Sequence, residues 1–352
     1  MIRNIMQLGM ELGNSKWLKG FRLIKHGRPV PLLIEIVPPE LGQERERMLP
    51  QLEYLNRLEQ RIGFDGINIP EIQNEEKKGD KGERISEFKE RIAPREYVRL
   101  LSEQIKTTYI INRVIVKETP EKQEKWVLET THDYGIKHMV FVGGEFPDYP
   151  YEGPSVTEGN EMVKKYLNQG KGRYSASSVK TTQLSVGNIS IPDRCEEAFD
   201  ESRRMMLKIE SGADFFTTQI IAEAQKPVRL LKDLSRHMLD SDFKPPVIFW
   251  SFSPIISKKD INFLRWLGVR IPAEFEEAML KSDDPAAASM KMLEQVWAEI
   301  LECNVALPQP FPMGINLAAM GKRHYGHCME LVKRLDDITS EYFTQHVDFE
   351  TQ

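Results

Sequence analysis

The chain has 352 residues and 40% hydrophobic against 29% charged side chains, a balance that fits a soluble globular protein with a substantial core. A formal net charge of −5, from 48 basic and 53 acidic residues, argues against a general nucleic-acid surface. The longest apolar runs, such as Pro246-Val-Ile-Phe-Trp250, are too short to cross a bilayer, and Met1 to Gly20 lacks the continuous apolar stretch of a secretory signal. Cys195, Cys303 and Cys328 are widely spaced and odd in number, unlike a disulfide framework, so a cytoplasmic location is expected.

Residues 1–30 read as an N-terminal helical extension ending at Gly27 and Pro29. Short apolar strands then alternate with helical patterns. The strands are expected over 32–37, 65–69, 109–116, 139–143, 184–190, 214–218, 247–251 and 313–320. Between them, Leu49, Leu52, Leu55 and Leu58 recur at helical spacing over 44–61, with Pro50 as a kink or a start. Further helices are expected from Pro94, over 120–134, 158–167, 195–210, 228–239, 260–267, twice over 272–304, and over 325–335. Gly212 stands where a helix ends and a residue of positive φ is wanted before the strand Asp214–Thr218. A highly charged stretch, 71–91, reads as a lid or a solvated loop, and 169–182 as a linker.

Eight strands, nearly all followed by helices, point to a (β/α)8 TIM barrel over 31–338, with extra helices after strand seven and a C-terminal tail over 339–352. An open doubly wound sheet is the alternative; no Gly-x-Gly-x-x-Gly follows the first strand to favour its dinucleotide-binding version.

Barrel strands are buried on both faces, so a polar residue in one needs a partner or a task. Glu35 sits in Leu33-Ile-Glu-Ile-Val-Pro-Pro39, where burial would raise its pKa and make it a general acid. The structural alternative is an ion pair with Arg113 of the third strand. Asn68, Glu145 at the exit of the fourth strand behind Gly143 and Gly144, Asn188, Ser190, Gln219, Ser251, Ser253 and Asn316 complete a set drawn from the strands. Their convergence on the C-terminal face is the signal, since barrel sites are built there. Gly170-Lys-Gly-Arg173 resembles a phosphate cradle but precedes a strand, on the opposite face, and reads as a solvated linker. His324-x-x-His327-Cys328 has no supporting carboxylate or second cysteine pair, so no metal site is expected.

Three stretches together resemble the methylenetetrahydrofolate reductase family. Gly212-Ala-Asp-Phe-Phe-Thr-Thr-Gln219 is similar to its Gly-Ala-x-x-x-x-Thr-Gln signature, and Ile34-Glu-Ile-Val-Pro-Pro39 to its first strand. Ser253-Pro-Ile-Ile-Ser257 through Gly268-Val-Arg-Ile-Pro272 follows its seventh-strand order. The resemblance implies reduction of 5,10-methylenetetrahydrofolate to 5-methyltetrahydrofolate with NADH or NADPH through bound FAD. It carries the catalytic acid onto Glu35 and folate contacts onto Gln219 and Glu145, to which the polar set of the strands adds Asn68 as an expected substrate contact. It places Lys208 and Glu201 on the cofactor side, where Gly144, Asn188 and Arg113 of the strand set are also expected.

Departures cluster on that side. The family's Arg-Gly-Asp is Gly143-Gly-Glu145 here, its His-Leu-Thr segment is Arg113-Val-Ile-Val116, and its Tyr-Pro-Glu-His is Ile191-Pro-Asp-Arg194. Folate chemistry is therefore better supported than FAD binding. The alternatives are a folate-binding barrel that takes electrons from a partner subunit or directly from the nucleotide, and a non-catalytic assembly protein. Homo-oligomerisation is left open.

Overall fold

Eight short strands lie side by side in chain order and close into a parallel barrel: Leu32–Glu35 (β1), Gly66–Ile69 (β2), Thr108–Val114 (β3), His138–Val142 (β4), Ser185–Ser190 (β5), Phe215–Ile220 (β6), Val247–Phe252 (β7) and Met313–Ala318 (β8). β1 pairs with both β2 and β8, so the sheet has no edge and the open-sheet alternative is excluded. The computed structural model describes residues 28, 30–74, 87–144, 150–175, 178–195, 200–239 and 241–347. The expected N-terminal helix, Glu145 and the 75–86 part of the charged stretch lie outside the described residues.

The helices among the described residues are Glu44–Arg61 (α1), Pro94–Ser102 (α2), Pro120–His132 (α3), Val156–Glu161 (α4), Glu201–Glu210 (α5), Gln225–Leu239 (α6), Lys258–Trp266 (α7), Ala273–Lys281 (α8), Pro285–Val305 (α9) and Tyr325–Val347 (α10). Their starts are written locally. Proline opens α2, α3 and α9, where a missing N–H is harmless; Ser155 and Glu158 form a capping box on α4; and Asp200 accepts from Arg203 N to cap α5. Pro50 lies inside α1 rather than at its start. Helices α7 and α8 are inserted after β7, as expected, and α10 runs well past the anticipated Leu335.

The long last helix is held by packing. Leu331, Val332, Leu335 and Ile338 face the core, and Trp297 Nε1 of α9 donates to Thr339 Oγ1 at 2.8 Å. Arg28 pairs with Asp336 of the same helix at 2.5 Å.

Odd and even positions along each strand divide between helix layer and lumen. The larger apolar cluster lies between barrel and helices; the smaller one, which includes Leu33, Ile110, Val140, Phe215 and Phe249, fills the lumen. The strand registers and tilt stack the inward residues in layers of four from alternate strands. Leu33, Ile110, Gly187 and Phe249 form one layer. Asn68, Val140, Thr217 and Asn316 form the next, and Glu35, Asn112, Ile189 and Ser251 the one above, toward the C-terminal mouth. Phe215 and Phe249 meet edge to face, their centroids 6.2 Å apart, and close the lower lumen. A Cβ on Gly187 would overlap the Phe215 ring, and one on Gly314 the Phe249 ring, so glycine makes room for both. Above the phenylalanine pair the lumen therefore turns polar toward the C-terminal mouth.

Candidate functional site

Glu35 ends β1 with its carboxylate in the polar layers. Its Oε2 accepts from Asn68 Nδ2 at 3.0 Å and from Asn316 Nδ2 at 2.9 Å. Asn316 Nδ2 also reaches Ser251 Oγ at 3.0 Å, and that hydroxyl donates to Thr218 O at 2.6 Å. Burial pushes the Glu35 carboxyl above the ordinary carboxylate range, and the amides of Asn316 and Asn68 only partly oppose it. An acid held by two fixed donors, one face turned to the barrel mouth, is equipped to deliver a proton. Asn316 and Ser251 were legible only as members of a polar set; their role beside Glu35 comes from barrel closure, which sets β8 against β1.

The ion pair of Glu35 with Arg113 does not form. Arg113 occupies the outward parity of β3: its Nη1 meets Glu71 Oε1 at 2.9 Å, its Nε donates to Gln123 Oε1 at 2.9 Å, and its guanidinium lies 4.4 Å from the Trp126 ring centroid. Glu71 also accepts from Val114 N at 2.6 Å, so the first residues of the charged stretch are stapled to the barrel rim. The other end of the stretch is tied down too, by a bridge between Glu40 and Arg91.

Gln219 is displaced from the ring around Glu35. The register between β6 and β7 slips between Thr217 and Ile220, so Ile220 rather than Gln219 stands beside Ser251. Gln219 Nε2 instead donates to Leu267 O at 3.3 Å, beyond the end of α7, and its Oε1 accepts from Ile220 N at 3.0 Å. The amide sits at the rim, partly buried, with hydrogen-bonding capacity left on both atoms.

The residues expected to hold a flavin are occupied within the protein. Asn188 points out of the barrel, exchanging hydrogen bonds with Asn160 of α4 at 2.8 and 3.2 Å and donating to Gly187 O at 2.7 Å. Lys208 Nζ donates to Ile189 O at 2.8 Å and lies 3.5 Å from Glu201; burial pulls its pKa down, against the pull of Glu201. At Gly144 the space that a Cβ would take is filled by the ring of Tyr151. Asn188 and Arg113 face the helix layer for a simple reason of parity: each lies one residue from an inward position. As they stand, these five residues do not fit a flavin.

Two other features resolve structurally. In the Gly170–Arg173 run, the backbone N–H groups of Arg173, Tyr174 and Ser175 converge on the Glu124 carboxylate of α3, at 2.5, 2.9 and 2.9 Å. The cradle is real, and its anion is the protein's own. His324 Nε2 lies 3.3 Å from Asp260, whereas Cys328 is buried near Ala318 O, so the pair does not converge.

Known proteins share this architecture. A Clostridium thermocellum protein, described as binding two copies of 5-methyl-5,6,7,8-tetrahydrofolic acid, has the same fold, with a TM-score of 0.67 and 21% identity over 88% of this chain and 96% of that one. Methylenetetrahydrofolate reductase 2 of Schizosaccharomyces pombe is 25% identical over 167 residues, 45% of this chain but 26% of the relative, so the match spans about a quarter of that protein's length. The family model for methylenetetrahydrofolate reductase matches residues 94–304, more than half of the chain and five of the eight strands, from α2 through α9. On that match the chain belongs to the methylenetetrahydrofolate reductase family.

Proposed function

We propose that the barrel binds 5,10-methylenetetrahydrofolate at its C-terminal mouth and reduces the bridge to a 5-methyl group, with Glu35 as the catalytic acid. The observation that carries this reading is the raised-pKa carboxyl of Glu35, held by Asn68 and Asn316 in a polar layer open to the mouth. Glu35 donates its proton to the bridging nitrogen, the carbon–nitrogen bond opens, and the exposed iminium carbon accepts a hydride. One NADH or NADPH and one proton are consumed, and solvent reprotonates Glu35. Asn68 orients the acid, and the family resemblance supports Gln219 and Glu145 as pterin contacts. Replacing Glu35 by Gln keeps the shape and removes the proton, so turnover should fall by about 100-fold or more with folding intact. Unchanged turnover would remove Glu35 from this role.

The internal partners of Arg113, Asn188, Lys208 and Gly144 favour a second reading of the electron supply. In it, hydride comes directly from the nicotinamide nucleotide or from an electron-delivering partner protein rather than from bound FAD. An absorbance spectrum of the untreated pure protein separates the two. Flavin bands support the FAD route; a colourless protein that turns over only with a co-purifying partner supports the other.

A further inference from the structure

Three oxygen atoms in the polar layers of the lumen have no hydrogen-bond partner among the described residues: Asn68 Oδ1, Asn112 Oδ1 and Thr217 Oγ1. Their side chains are 0%, 8% and 1% exposed. All three are aimed inward. Thr217 is in register with Phe249 and Ile189, Asn112 with Val140, and these neighbours pack in the lumen cluster. Leaving a buried polar atom unpaired costs about 1–3 kcal/mol, so a folded chain seldom keeps three together without a use for them.

The three share one chemistry. Each amide oxygen can only accept a hydrogen bond, and the threonine hydroxyl can accept as well as donate. The layers that hold them already contain the acceptor Glu35, and apolar Val140 and Ile189 complete the wall. A lumen lined in this way calls for a ligand that brings N–H donors on a flat, partly apolar ring.

We infer that Asn112 and Thr217 are specificity-determining residues that accept hydrogen bonds from the N–H groups of a reduced pterin. This deepens the folate reading and rests on it. Neither residue touches Glu35 in the hydrogen-bond network, so their work is recognition and not proton transfer. The chemistry also selects oxidation state. In a tetrahydropterin the ring nitrogen N8 carries a hydrogen and donates; in fully oxidised folic acid it presents a lone pair, which the acceptor-only Asn112 Oδ1 repels while the Thr217 hydroxyl can turn to donate. A site built to hydrogen-bond a group rejects an analogue lacking it far more strongly than an apolar pocket rejects a change of shape.

The test uses the full chain, with calorimetric titration of 5-methyltetrahydrofolate and of folic acid, and thermal unfolding without ligand. Thr217→Val exchanges an unpaired hydroxyl for a methyl of the same shape. It should raise the unfolding temperature of the ligand-free protein while weakening binding of the tetrahydro ligand about tenfold. A purely structural hydroxyl would move stability the other way. Asn112→Leu should weaken binding by a similar factor and narrow the preference for tetrahydrofolate over folic acid. Thr217→Ser, which keeps the oxygen, should retain wild-type affinity and preference. If the wild type binds the tetrahydro ligand and Thr217→Val and Asn112→Leu bind it equally well, the inference is overturned and the folate reading stands. If the wild type binds neither ligand, both fall.

Discussion

His138, at the lowest end of β4, faces the lumen beneath the phenylalanine pair, and burial, helped by Lys137, holds its pKa down at about 4. The folded protein therefore keeps this ring neutral while the unfolded chain protonates it near its ordinary value. Between those two values the unfolded state binds more protons, so stability falls as pH drops. From pH 7 to pH 5 this one group should cost about 2 kcal/mol, and His138→Asn should flatten that part of the unfolding-free-energy profile. At Glu35 burial raises the pKa and the two donors oppose it. The Asn316 and Asn68 amides favour the charged carboxylate. Asn316→Leu should therefore raise the Glu35 pKa further and move the alkaline limb of the turnover profile to higher pH. Glu35 itself was legible in the sequence, because a lone carboxylate in an apolar run stands out whatever surrounds it. Its partners were not: Arg113 was the available cation on a nearby strand, but outward parity gives it to Glu71 instead.

At the scale of single elements, the loop over Gly170–Ser175, expected as a solvated linker, is instead tied to the helix layer. The glycines do build an anion nest, yet Glu124 of α3 fills it. Burial alone would raise the Glu124 pKa, but the Ser175 hydroxyl and three backbone donors overcome this and hold it below the usual range. This stabilisation is complete above the unfolded carboxylate pKa and is lost as pH falls through the lower folded value. Glu124→Gln should cost about 2 kcal/mol and speed amide exchange at residues 173–175, read by hydrogen-exchange mass spectrometry. Gly212 met its expectation, with φ at 111° and Lys164 packed where a Cβ would stand. The bulge in β6 did not show in the sequence. Thr-Thr-Gln alternates smoothly there, and only pairing with β7 reveals the extra residue that turns Gln219 to the rim.

At the scale of the whole molecule, the barrel was legible because each strand is a short apolar run and each connection a helical pattern, and eight such units can close. The observed strand bounds depart from the expected ones by only a few residues. The helix-to-lumen parity was harder to see, since a strand buried on both faces shows no alternation of polarity. That is why Asn188 and Arg113 looked like site residues, and why Asn112 and Thr217 did not. Closure also joins distant parts of the chain in the core. Gly187 of β5 yields to Phe215 of β6, and Gly314 of β8 to Phe249 of β7. Gly187→Ala should cost about 1–3 kcal/mol by overpacking, and Phe215→Leu in the same chain should recover part of it, as a double-mutant cycle would show. Each glycine and its ring thus behave as one heritable unit. Among descendants of this sequence, a side chain should arise at 187 or 314 only in lineages where the facing aromatic has already shrunk.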